Sequence, residues 1–400
     1  MDQIDIPLLG LLLFVASLVA MITRKLRLPY STGLVAAGLL LALLPFGFNV
    51  GLTTQMIFTF FLPPLIFEAA IQIPWAPFRR EMPLLLLLVT IGVLLAAAVV
   101  AAGMHFLIGW SWLGAAFFGI LVAATDPVSV IAMFREIKVD HRLHMLVEAE
   151  SLLNDGVAAV GFTVLLMIAA GAPVTAPVIG GKLLITAFGG VAAGGLVALP
   201  LLALAGRTED PLVEMTLTTL AAFGSFLLAE HFHMSGVLAA LTAGMLVGNV
   251  GRMGSISDSS RPILLSFWDY AAFLANSLIF ILIGGAEAKA PLLPVFEAAA
   301  VAILLCLIGR AATVYPVAAL FSRSSLRLPA KHQHVLWWGG LRGALALALA
   351  LAVPSSIPER QQIIAVAFAV VAFSVFVQGL TMGPLIRWLG LILEEDKPES

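Results

Sequence analysis

Thirteen apolar stretches of 15 to 28 residues follow one another along this 400-residue chain, with only short polar connections between them. They lie at about 6–23, 29–46, 54–71, 83–105, 113–133, 145–169, 178–205, 213–230, 236–250, 267–285, 293–320, 333–353 and 362–386. A bilayer core offers the backbone no water, so each N–H and C=O within it has to be bonded inside the segment. A helix of roughly 20 apolar residues does this. The expected fold is an all-α polytopic membrane protein. Composition agrees: 61% of the residues are hydrophobic and 11% charged, against about 25% charged in soluble domains. A net charge of −2 without a Lys/Arg run speaks against a nucleic-acid partner. Cys306 stands alone, which excludes an intramolecular disulfide. Asp2 and Asp5 are acidic where a signal peptide would be basic, so the first stretch reads as a retained span.

Charge placement sets the count and the orientation. The ninth stretch is short and the seventh Gly-rich, so twelve spans are conceivable, but only an odd number keeps the basic loops on one side. With the N-terminus outside, 16 of the 21 Lys and Arg fall in cytoplasmic loops, from Arg24, Lys25 and Arg27 to Arg387 and Lys397. Trp75, Trp110, Trp112, Trp268 and Trp388 sit near expected span ends, where interfacial anchors belong. Thirteen spans divide into two inverted six-helix repeats, about 6–169 and 213–386, around a linker helix at about 178–205. A short cytoplasmic tail, 387–400, completes one transmembrane domain. The fifth span carries Thr125-Asp126-Pro127 at mid-depth and the twelfth carries Gly339-Gly340-Leu341-Arg342-Gly343. Interrupted helices at corresponding places in two repeats point to a midplane ion site.

Ionisable groups at that depth cost a few kcal/mol each on insertion scales and mark function by default. The spans hold Glu68, Asp126, Glu150, Asp155, Arg310 and Arg342. In the sixth span, helical geometry aligns Glu150 with Asn154 and Ser151 with Asp155, at i and i+4, so one stripe presents a hydroxyl, an amide and two carboxylates. Oxygen donors without His or Cys suit a hard cation, not zinc or iron. Pro127 removes an N–H and breaks the fifth helix, freeing carbonyls near Ala123 to Thr125 for a cation. Asp126 beside the break fits a buried cap or an ion ligand, and the two roles are compatible. Arg342 fits a partner of Asp126 or of broken-helix carbonyls better than a place on the ion path. Glu68 is placed to bond Asn154 from the side, and Glu148 to lead ions inward or to sit solvated at the rim. His141, His144, His332 and His334 read as solvated loop groups, with pH sensing as the alternative.

Three segments, Ala124-Thr125-Asp126-Pro127-Val128, Glu150-Ser151-Leu152-Leu153-Asn154-Asp155-Gly156 and Gly339-Gly340-Leu341-Arg342-Gly343-Ala344, together resemble the electroneutral sodium/proton exchangers of the cation:proton antiporter superfamily, above all the prokaryotic NhaP type. Phe61-Leu62-Pro63-Pro64-Leu65-Ile66-Phe67-Glu68 and Gly309-Arg310-Ala311 extend the likeness over nearly the whole chain. The resemblance implies an NhaA-like inverted-repeat fold of thirteen helices, with two discontinuous crossing helices, a mobile core and a dimerisation domain. It implies a homodimer in the cell membrane, no cofactor, and transport of Na+ (or Li+ or K+) and H+. It assigns the Na+ site to Thr125, Ser151 and Asp155, with Glu150 close by, and the support of the crossing to Asn154 and Asp126. Arg310 would pair with Glu150. The long regulatory tail of animal exchangers has no counterpart, so no tail-binding partner is expected.

The mechanism this suggests is competition for one carboxylate: Asp155 holds either a proton or sodium, and only the loaded forms cross. Asn154 beside Asp155, and Arg310 in place of a lysine, point to one proton per sodium. A potassium/proton exchanger of the same architecture is the main alternative. A channel would need repeated carbonyl rings such as Thr-Val-Gly-Tyr-Gly, and none is written here. An intramembrane hydrolase built on Ser151 and Asp155 has no His or Lys base at that depth.

Overall fold

The computed structural model describes residues 6–26, 28–43, 56–126, 130, 131, 133, 134, 139–171, 175–251, 254–287 and 293–392. Pro127, Val128, Arg27, Arg135, Lys138, Arg252, Lys289, Lys397, span positions 44–46 and most of the tail lie outside the described residues. All elements are helical: α1 Ile6–Leu26, α2 Tyr30–Leu43, α3 Ile57–Gln72, α4 Trp75–Ile108, α5 Trp112–Leu121, α6 His141–Ala169, α7 Ala176–Ala205, α8 Pro211–His231, α9 Gly236–Asn249, α10 Ser260–Glu287, α11 Phe296–Leu320, α12 Ala330–Trp338, α13 Ala344–Ala352 and α14 Arg360–Trp388. Eight of these are long and apolar enough to cross a bilayer; α2, α3, α5 and α9 are apolar but shorter. The twelfth stretch is split into α12 and α13, and the fifth ends its α5 helix at Leu121, with helical backbone again at Val130, Ile131, Met133 and Phe134.

The reasons are local. Pro63 and Pro64 cannot bond back into the preceding turn, and a π-type turn at Ile57–Phe61 absorbs the mismatch. Asp140 caps α6 by accepting from the Leu143 N–H at 3.4 Å, and Ser111 caps α5 by accepting from the Gly114 N–H at 3.1 Å. α6 then runs unbroken for 29 residues past the break at the end of α5, against which it packs through Phe117 and Phe162, their rings 5.2 Å apart. A large apolar core joins α4, α5, α6, α11, α13 and α14; a smaller one joins parts of α3, α7, α8, α9 and α10.

Two tryptophans depart from their expected place at the lipid interface. Trp268 is 1% exposed and Trp110 3%. α10 begins at Ser260 rather than 267, which draws Trp268 two turns inward, onto the Phe67 ring and the Thr218 hydroxyl. The Trp110 indole donates to Gln362. Trp75, Trp112 and Trp388 are exposed.

One end of the bundle gathers Arg142, the loop before α12 and a single antiparallel bridge between Val139 and Ile392. There His144, His332 and His334 are partly buried rather than solvated, while His141, at the first turn of α6, is exposed as expected. His144 Nε2 lies 4.0 Å from the Glu148 carboxylate, and His334 Nδ1 lies 2.9 Å from the Tyr315 hydroxyl. His332, which precedes the apolar stretch, is half-buried with no partner for Nδ1 among the described residues. Burial holds its proton affinity below the usual histidine range; Asp140 opposes that shift and Arg142 adds to it. The fold thus favours neutral His332, a contribution complete above about pH 6.5 and lost as pH falls through the lower folded value. His332→Asn is expected to flatten the decline of melting temperature between pH 7 and pH 5, measured in detergent by scanning fluorimetry.

Candidate functional site

The site forms where the two interrupted spans cross beside α6. Past Leu121 the chain leaves the helix, so the peptide groups of Thr125 and Asp126 need partners from elsewhere. Thr125 N–H donates to Asn154 Oδ1 at 3.1 Å, and Asn154 Nδ2 donates to Thr125 Oγ1 at 2.6 Å. Asp126 N–H donates to the Leu341 carbonyl at 2.7 Å, which ties the first break to the second. The Thr125 and Ser151 hydroxyls are 2.8 Å apart. Thr125, Ser151 and Asn154 are all nearly inaccessible, at 3%, 3% and 1% exposure.

The second break is satisfied group by group. Arg310 donates from Nε and Nη2 to the Leu336 carbonyl at 3.1 and 3.0 Å. Gln378 Nε2 donates to Trp338 C=O at 2.9 Å while its own oxygen accepts from Ser374. Arg342 Nη1 donates to Gly340 C=O at 3.0 Å, and Leu341 N–H to Gly339 C=O at 2.8 Å. α13 then starts at Gly343, where a Cβ would come within 2.0 Å of Asp126 Oδ2. Only glycine allows that approach. It puts the Asp126 carboxylate at the positive end of α13, a favourable place for an anion.

Arg310 also grips Glu150 with both Nη groups, Nη2 to Oε2 at 2.6 Å. Both side chains are buried, and this bidentate geometry is the one in which a buried pair offsets its desolvation. Arg342 lies beside the Cys306 thiol, and its Nε has no hydrogen-bond partner among the described residues.

Asp155 stands apart from these satisfied groups. Its Oδ1 is fully buried and has no hydrogen-bond partner among the described residues. It sits one helical turn from Ser151, within electrostatic reach of Asp126 and Arg342. A buried carboxylate oxygen without a partner is costly to leave so, and one turn from the Thr125–Ser151 hydroxyl pair it can take a proton or a hard cation. Two turns before Asp155, α6 passes a cavity of about 730 Å³ at the Arg142 end, lined by Gln72, Glu81, His141, Arg142, His144 and Glu148, among others. Glu148 is 7% exposed there rather than solvated at a rim.

Of the residues singled out in the sequence, Thr125, Asp126, Glu150, Ser151, Asn154, Asp155, Arg310 and Arg342 come together around the crossing. Glu68 is bonded to Gln72 on its own helix, while Asn154 commits both ends of its amide to Thr125. Gln378 and Ser374 were not anticipated. A glutamine in an apolar stretch, four residues after a serine, was the available signal.

The sodium/hydrogen exchanger, transmembrane family matches residues 11–388. The Na(+)/H(+) antiporter ApNhaP of Aphanothece halophytica is 38% identical over 371 residues, covering 92% of this chain and 70% of that protein. The Na(+)/H(+) antiporter NhaS2 of Synechocystis sp. is 39% identical over 385 residues, covering 95% and 70%. The solved structure of the sodium proton antiporter MjNhaP1 from Methanocaldococcus jannaschii at pH 8 superimposes with a TM-score of 0.74 over 97% of this chain and 99% of its own, at 22% identity, and so shares the fold.

Removing one member of a buried ion pair costs about 3–5 kcal/mol. Arg310→Ala is therefore expected to lower the melting temperature in detergent by several degrees more than Ser151→Ala; equal values would mean the pair carries no such weight.

Proposed function

The chain belongs to the sodium/hydrogen exchanger family, and from that premise we propose that it exchanges sodium for protons across a membrane at one buried aspartate, Asp155. The observation that carries this reading is the Asp155 Oδ1, buried and without a hydrogen-bond partner among the described residues, one turn from the Thr125–Ser151 hydroxyl pair at the crossing of two broken spans. A carboxylate so placed takes a proton or a sodium ion, but not both. Sodium would be held by Asp155, Ser151 and Thr125, with Glu150 one turn away and committed to Arg310. Asn154, Asp126, Arg310 and Arg342 keep the two breaks open by occupying peptide groups that would otherwise close on the site. Glu68, bonded to Gln72 on α3, is left out of this set.

The same reading makes the thirteen apolar stretches thirteen spans, with α12 and α13 as the halves of one and α5 and the helical residues Val130, Ile131, Met133 and Phe134 as parts of the two halves of another. The two halves of the chain, about 6–169 and 213–386, are then inverted repeats around α7. The N-terminus is outside and the Arg142 end faces the cytoplasm, where the cavity beside Glu148 admits ions toward Asp155. A homodimer in the cell membrane, working in sodium and pH homeostasis, fits this architecture.

Coupling follows from charge. An empty site carries the bare Asp155 carboxylate, and moving a net charge through a field costs about 2.3 kcal/mol per 100 mV. A bound proton or sodium cancels it, so the core moves when loaded and stays when empty. The guanidinium of Arg310 does not release its proton in a protein and cannot carry a second one. Glu150 is neutralised in place, and Asp126 stays ionised at the start of α13. One sodium then moves against one proton.

Two measurements in proteoliposomes test this. Asp155→Asn is expected to abolish sodium-driven proton flux while the protein keeps its elution volume and melting profile; appreciable flux from that variant would end the single-carboxylate reading. With the wild type, the exchange rate at 0 and at −100 mV, clamped with potassium and valinomycin, is expected to be the same. A reproducible voltage dependence would mean that a second proton travels, and Asp126 would be its first candidate carrier.

A further inference from the structure

Two contacts at opposite ends of the bundle have the same plan. At one end Arg142, the second residue of α6, donates from Nη1 to the Arg327 carbonyl at 3.0 Å and from Nη2 to the Leu326 carbonyl at 3.1 Å. Both carbonyls belong to the loop that leads into α12. The buried Glu81 of α4 holds the guanidinium in place from Nε and Nη2, at 2.8 and 3.0 Å. At the other end Glu359, the residue before α14, accepts from Ser111 N–H at 2.9 Å and from Ser111 Oγ at 3.0 Å. Ser111 caps α5. Gly114 makes room, since a Cβ there would come within 2.5 Å of Glu359 Oε2. The adjacent Arg360 donates to Val353 C=O at 2.7 Å and Leu351 C=O at 3.2 Å, closing the end of α13.

Under the repeat relation proposed above, α6 corresponds to α14, and α5 with its continuation corresponds to the α12–α13 pair. The start of each unbroken helix therefore grips the entry to the broken span of the other repeat. The chemistry is complementary: a cation takes exposed carbonyls at one end, and an anion takes the free N–H of a helix start at the other. Neither contact touches the ion-bearing residues. We propose that Arg142 and Glu359 are paired positioning residues for exchange: they bind both broken spans and both unbroken helices into one body, so that Thr125, Ser151 and Asp155 keep their spacing while that body moves.

This rests on the exchange reading, and the test separates the two. Ser111 and Glu359 are replaced by cysteines (S111C with E359C) and joined with a short bifunctional thiol reagent; wild type, whose one cysteine is the buried Cys306, is treated alongside. A covalent link in place of the contact is expected to leave at least half of the wild-type sodium–proton exchange in proteoliposomes. The unlinked Glu359→Ala variant is expected to lose maximal rate about five-fold or more, with apparent sodium affinity within two-fold of wild type and recovery in Glu359→Asp. Arg142→Ala is expected to match that pattern, and the double variant to be no worse than the poorer single one. Exchange abolished by the link and restored when a cleavable reagent is reduced would overturn the proposal, because the two ends would then have to separate during transport. So would an unchanged maximal rate in both single variants. An inactive wild type in the same vesicles would instead strike at the exchange reading itself.

Discussion

Unwinding a helix inside lipid exposes peptide groups that have no water to turn to, and one side chain answers this at the first break. Asn154 accepts from the Thr125 N–H and donates to the Thr125 hydroxyl, so a single amide fixes both the backbone and the side chain of the residue that faces α6. Its partner amide group, that of Asp126, is taken by Leu341 C=O, and the two breaks become one structure. The rest of the site leans on this arrangement. With Thr125 held, its hydroxyl meets Ser151; with Leu341 held, α13 begins close enough for Asp126 to stand at its first turn. The carboxylate with an unpartnered oxygen among the described residues is Asp155, one residue along from the amide that does the holding, and it is the one we propose to carry the ions.

Charges at the crossing divide between fixed and free. Glu150 is taken by Arg310, which also serves Leu336 C=O, so that pair fixes the end of α12 as firmly as it fixes itself. Asp126 sits at the start of α13 and Arg342 on Gly340 C=O. Both cations are thereby tied to backbone carbonyls, one anion to a guanidinium, and the other stands at a helix start. A third anion remains, with an oxygen that nothing in the described structure satisfies. Such a core is neutral only when one positive charge joins it, and the size of that charge is the stoichiometry we propose.

How much of this could be read in advance follows from what kind of force is involved. Apolar stretches and their basic loops are written in composition, because the bilayer acts on every residue alike; each of the thirteen stretches contains helix in the described structure. The stripe of Glu150, Ser151, Asn154 and Asp155 was legible because helical spacing alone puts those residues on one face. What lay beyond reach depended on neighbours distant in sequence. Trp268 looks like an interfacial anchor until α10 is known to start earlier and its indole to find Thr218. Gln378 gains its role only when α14 passes the end of α12, 40 residues before it. His144, His332 and His334 looked solvated because the starts of α6 and α12 were set a few residues too late; His141 is exposed as expected. The placement of Asp126 against Gly343 needed the crossing itself.

Hydrogen bookkeeping at the hydroxyl pair gives a reason why loaded and empty states differ. Thr125 and Ser151 own two hydroxyl hydrogens and four lone pairs between them. The bond between them uses one hydrogen and one lone pair, and the Asn154 amide uses another lone pair. One hydrogen and two lone pairs remain, whichever of the two hydroxyls is the donor. A protonated Asp155 offers a hydrogen and a bound sodium offers positive charge; either can be met by the two spare lone pairs. The bare carboxylate offers only lone pairs of its own, and a single spare hydrogen is all the pair can return. On the proposed reading, either cargo thus gives the two spare lone pairs something to accept, while the empty site adds acceptors only, in a medium that supplies few donors. Under the proposed exchange, a preference for moving when loaded would need no separate gate: it would lie in the donor count of two hydroxyls 2.8 Å apart, one of them held by an asparagine.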